Sequence, residues 1–131
     1  VKQLTQYDKV RAFHRAFFHP LDKEFIEGTG SDAEFELKGL RMRLIDEEVA
    51  EVCEALYEGT KQELAKELAD LLYVVYGTAA AYGIPIDEVF NRVHESNMSK
   101  LGEDGKPVYR DDGKVLKGPN YKEPSMEGLG L

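Results

Sequence analysis

Only one cysteine, Cys53, occurs in the 131 residues. An intrachain disulfide is thereby excluded, and the expectation is a reducing, cytoplasmic setting. Long apolar runs are also missing. None approaches the ~18 residues that cross a bilayer, and Asp22, Lys23 and Glu24 soon interrupt the N-terminal aromatics, so no membrane partner is expected. Val1–Phe18 alternates charged with apolar residues and lacks the apolar block of a secretory signal. A basic excess is absent too. The formal net charge is −8, which argues against a binder of phosphate backbones, so nucleic acid is not expected as a partner. No Glu-x-x-His accompanies the acids, which disfavours a di-iron bundle. Internal repeats and low-complexity blocks do not occur.

What is present is a helical pattern. At 42% hydrophobic residues, the chain can build one compact domain over 1–131. Leu4–Phe18 carries Tyr7, Val10, Phe13 or His14, and Phe17 at helical spacing, closed by Pro20. Ser31-Asp32-Ala33-Glu34 has the spacing of a capping box and predicts a long helix to about Glu58, stopped by Gly59. Thr60-Lys61-Gln62-Glu63 repeats the device for a third helix that ends near Gly83. Pro85 and Asp87 suit the first turn of a fourth, running to about Lys100. Residues 101–131 are glycine-rich and hold three of the five prolines. There Lys106–Arg110 and Lys114–Lys117 read either as a small hairpin around Asp112-Gly113 or as a loop. The expected architecture is all-α: a bundle of four to five helices over 1–100, with an irregular C-terminal arm over 101–131.

The acids fall in an unusual place. At about 100° per residue, Glu47, Glu48 and Glu51 share a face with Leu37, Leu40, Leu44 and Ala55. Asp46 points the other way. On the third helix, Glu67 and Asp70 lie about 60° apart, on the side continued by Val74, Thr78 and Ala81. A short turn joins the two helices, so they should pack antiparallel and bring five carboxylates together. Such charges repel unless cations neutralise them. Hard oxygen ligands without His or Cys nearby suit Mg²⁺, or Mn²⁺ in its place. The competing reading is a solvated helix edge whose acids pair with lysines.

Glu47-Glu48-x-x-Glu51 followed by Glu67-x-x-Asp70, joined to "LIDEEVAEV", "ELADLLYVVYG", "GIPIDEVFNRVHESNMSK" and "DGKVLKGPNY", resembles the all-α nucleoside triphosphate pyrophosphohydrolases. That superfamily includes MazG, the dimeric dUTPases and the phosphoribosyl-ATP pyrophosphohydrolases. The similarity spans about Leu40 to Tyr121 and looks most like the MazG-like, phosphoribosyl-ATP pyrophosphohydrolase-like branch. It implies hydrolysis of a nucleoside triphosphate between the α- and β-phosphates, giving a monophosphate and pyrophosphate. It further implies that Glu47, Glu48, Glu51, Glu67 and Asp70 hold Mg²⁺, with Glu48 or Glu47 activating water. By the same resemblance, Asn97 and Lys100 contact the nucleotide, and the protein is a homodimer or a dimer of dimers. Lys117 and Tyr121 are arm residues placed to close over substrate.

Three functions follow for testing. The first is house-cleaning of dUTP or non-standard triphosphates; the second, phosphoribosyl-ATP hydrolysis in histidine biosynthesis; the third, a non-catalytic, metal-binding helical interaction module. His14, His19 and His94 lack ligand partners at a persuasive spacing, and Tyr73 and Tyr76 read as core or interface.

Overall fold

A computed structural model describes residues 2–131. Its contacts divide the chain between Ile84 and Pro85 into two compact units. The fourth helix therefore groups with the arm.

The first unit holds α1 (Gln6–Ala16), α2 (Asp32–Glu58) and α3 (Lys61–Ala81). Each helix opens on a complete capping box. Thr5 with Asp8, Ser31 with Glu34, and Thr60 with Glu63 exchange side-chain and backbone bonds at the three N-termini. The box at Thr5 places the start of α1 just after Leu4, and α1 stops at Ala16, before Pro20. Only Gly59 and Thr60 separate α2 from α3, so the two run antiparallel side by side.

Aromatic edges seat α1 on α3. Phe13 meets Tyr73 edge-on with ring centroids 5.6 Å apart, and Tyr7 lies 6.1 Å from Tyr76. Both α3 tyrosines thus do packing work. Among the described residues the buried apolar set is small: Val10, Val52, Ala55, Ala79, Ala80 and Ala81. The α1–α2 connection is pinned to the end of α3, where Asp22 N–H and Lys23 N–H donate to the carbonyls of Ala80 and Ala81. Arg11 grips the Asp22 carboxylate with two bonds of 2.9 and 2.8 Å. Lys38 on α2 donates to the carbonyls of Ile26 and Gly28 and sits over the Phe25 ring, 4.4 Å from its centroid.

The second unit holds α4 (Ile86–Met98) and a ribbon of β1 (Val108–Tyr109) and β2 (Val115–Leu116). The strands pair antiparallel, Val108 opposite Leu116 and Tyr109 opposite Val115. Gly113 turns the ribbon at φ +87°, conformational space that glycine enters without strain. The arm then returns to α4. Ser96 Oγ donates to the Lys122 carbonyl at 2.8 Å, Lys122 N–H donates to Ser99 Oγ, and Arg92 donates to the carbonyls of Ser125 and Glu127. Arm residues without regular structure are thereby tied down by named bonds.

Candidate metal centre

Three of the five expected acids converge. Glu48 from α2 and Glu67 and Asp70 from α3 each offer a carboxylate oxygen, all within 4.8 Å of one another. The antiparallel turn explains the meeting: Glu48 lies about ten residues before Gly59, and Asp70 about ten after Thr60. All three side chains are half-buried. Glu47 is exposed, and neither it nor Glu51 joins the trio. Glu51 instead lines a cavity of about 360 Å³ beside it, with Glu54, Glu58, Glu63 and Glu67.

Like charge dominates the electrostatics. Partial burial, then the charges of Asp70, Glu67 and Glu51, hold the Glu48 carboxyl above its ordinary value. The Lys66 ammonium answers part of this charge, 2.7 Å from Asp70 and 3.3 Å from Glu67. Those pairs raise the lysine's own pKa, the Asp70 bond most. Lysine pairing, the competing expectation for these acids, therefore occurs at Glu67 and Asp70, but among the described residues no salt bridge reaches Glu48. An all-carboxylate oxygen set of this spacing suits a hard divalent ion.

The same α2–α3 seam carries a polar node that sequence reasoning missed. Arg41 is 7% exposed, yet among the described residues no carboxylate bonds to it. Its Nε donates to Thr78 Oγ1 at 3.0 Å and its Nη2 to the Val74 carbonyl at 2.9 Å. Burial pulls the guanidinium below its ordinary pKa. Gly77 makes the room. A Cβ there would stand 2.6 Å from Arg41 Nη2 and 3.0 Å from His14 Nε2. His14 is itself buried, its Nδ1 2.8 Å from the Pro20 carbonyl, and burial is the main cause that lowers its pKa. The one signal in the sequence was a glycine inside the apolar run of α3, where alanine would favour the helix.

The expected substrate residues all lie in the second unit. Asn97 is exposed near the end of α4, and Lys100 is half-buried just beyond it. The Lys100 carbonyl accepts from Gly118 N–H at 2.9 Å. Lys117 sits over the Tyr121 ring, 4.7 Å from its centroid. His94 is exposed, and Cys53 is a free, exposed thiol. Among the described residues no single helix is long and apolar enough to cross a membrane.

Comparison with known proteins gives this arrangement a family. The chain is 31% identical over 116 residues to uncharacterized protein L479 of Acanthamoeba polyphaga mimivirus, covering 88% of this chain and 43% of that one. It is 34% identical over 64 residues to the phosphoribosyl-ATP pyrophosphatase of Bacillus cereus (strain AH820), covering 47% of this chain and 60% of that one. The chain thus spans less than two thirds of each of these relatives. A solved structure from Exiguobacterium sp. 255-15, described as a "putative NTP pyrophosphohydrolase", aligns at 28% identity and a TM-score of 0.48, over 94% of this chain and 90% of that one. The family model for phosphoribosyl-ATP pyrophosphohydrolase matches residues 10–97, a segment that contains all five acids and Asn97. The chain belongs to the phosphoribosyl-ATP pyrophosphohydrolase family, as the acidic pattern led one to expect.

Proposed function

We propose that this protein is a Mg²⁺-dependent nucleotide pyrophosphohydrolase. It cleaves nucleoside triphosphates between the α- and β-phosphates, with dUTP or non-standard nucleotides as the substrate class. The observation that carries this reading is the convergence of Glu48, Glu67 and Asp70 inside the segment matched by the family. These three carboxylates hold the ion, with Glu47 and Glu51 as the flanking acids of the same set. A bound Mg²⁺ supplies charge neutralisation for the phosphates and a more acidic water.

The chain's own groups do the rest. Glu48 accepts the water's proton, and Glu47 is its substitute in that role. Asn97 orients sugar or base, and Lys100 meets phosphate as a mobile point charge. Lys117 and Tyr121 close the arm over the substrate. A homodimer or dimer of dimers is supported by apolar side chains left exposed on α3, among them Leu68, Leu72 and Val75. The free thiol of Cys53 suits the cytoplasm.

The test is product analysis across a nucleotide panel that includes phosphoribosyl-ATP, with Mg²⁺ and with EDTA. Monophosphate and pyrophosphate should appear together, without diphosphate, and in ¹⁸O water the label should enter the monophosphate. Orthophosphate as first product, or label only in pyrophosphate, overturns the mechanism. Exclusive use of phosphoribosyl-ATP would favour histidine biosynthesis, the reading that the Bacillus relative's name supports. Ion binding without any turnover would leave the interaction module.

A further inference from the structure

The Arg41 node and the carboxylate trio stand in register. Arg41 precedes Glu48 by seven residues on α2, and Gly77 follows Asp70 by seven on α3. On antiparallel helices the two steps run the same way. Seven residues make two turns, about 10 Å of axis and 20° short of a full alignment. Glu48 facing Asp70 and Arg41 facing Gly77 are therefore two rungs of one ladder.

The Arg41 rung is the stiffer one. A planar guanidinium in a slot that only glycine leaves open, with one bond to a side chain and one to a backbone carbonyl, tolerates little sliding. Thr78 Oγ1 also donates to the Val74 carbonyl at 2.9 Å, which fixes the acceptor that Arg41 uses. The Glu48 rung has no such hold. Its carboxylates repel, and Lys66 pairs with both α3 acids and not with Glu48. Left alone, the trio would spread.

We infer that Arg41, seated in the Gly77 slot, is a positioning residue that sets the α2–α3 register and thereby holds Glu48 against Glu67 and Asp70 for a divalent cation. The inference rests on reading those three carboxylates as a cation centre.

Its test is Mn²⁺ binding to the folded protein, read by the EPR signal of free Mn²⁺, with helicity checked by circular dichroism. Arg41→Met should weaken Mn²⁺ at least tenfold while helicity persists, and Arg41→Lys, which keeps the charge but loses the planar fork, should recover part of the loss. The sign is diagnostic. Removing a cation near three carboxylates would, by charge alone, tighten Mn²⁺ binding, and a purely structural role would leave the affinity of the folded fraction unchanged. Either result overturns the positioning role while leaving the cation centre intact. If Arg41→Met does not fold, Thr78→Val serves, since it keeps the volume and removes the Nε acceptor; weaker Mn²⁺ binding supports the role and unchanged binding refutes it. Wild-type protein that binds no Mn²⁺ fails earlier, at the cation centre, and takes the inference with it.

Discussion

Gly77→Ala sets helix propensity against tertiary packing, and the two predict opposite signs. In an unobstructed helix interior the change should stabilise by about 1 kcal/mol. Here the new methyl would fall 2.6 Å from Arg41 Nη2 and 3.0 Å from His14 Nε2. The far end of an arginine ordinarily moves aside at little cost. This one is buried and held by Val74 and Thr78, while the His14 ring is held at Pro20. Moving it gives up a charge-assisted bond of roughly 1.5–3 kcal/mol, and overpacking adds about 1–3 kcal/mol. After the propensity gain, the net destabilisation is about 1.5–5 kcal/mol. With a urea slope of about 2 kcal/mol per molar, the midpoint followed by circular dichroism should fall by about 1–2.5 M. In an Arg41→Ala background the same change should cost less, because the nearer of the two clash partners is gone and only the His14 contact remains. A midpoint that holds or rises in the wild-type background would refute the notch.

Two further outcomes follow from the site and the surface. The raised Glu48 carboxyl holds its proton more tightly in the native state than in the unfolded chain, so its contribution to metal-free stability declines as pH rises from the ordinary carboxylate range through the Glu48 value and then levels. In EDTA, Glu48→Gln should therefore melt higher than wild type at neutral pH and lose that advantage in acid; a lower melting point at neutral pH would defeat the electrostatic account. Light scattering at micromolar concentration should give at least twice the 14.8 kDa of the chain, and a clean monomer would reject the exposed α3 face as an interface.

Helix boundaries were legible because caps are local. Ser31 with Glu34 and Thr60 with Glu63 place the starts of α2 and α3 within four residues of sequence, and Gly59 marks the stop between them. The Asp112-Gly113 turn was legible for the same reason, but whether its flanks paired as a ribbon or stayed a loop was left open by the sequence. The acids were found by their helical phase and by a family pattern that residues 10–97 match. Phase alone could not say which of five carboxylates meet. That needs the distance between two helices and their relative slide, which place Glu48, Glu67 and Asp70 within 4.8 Å and leave Glu47 exposed. The pairing of Lys66 with two of these acids likewise depends on where its ammonium sits in space. Arg41 was the least legible. A one-dimensional pattern treats arginine as a solvated residue, and its burial depends on the missing side chain of Gly77, thirty-six positions along the sequence but across the seam in space. Local backbone chemistry determined the helices; the contact between α2 and α3 decided which polar groups those helices could bury together.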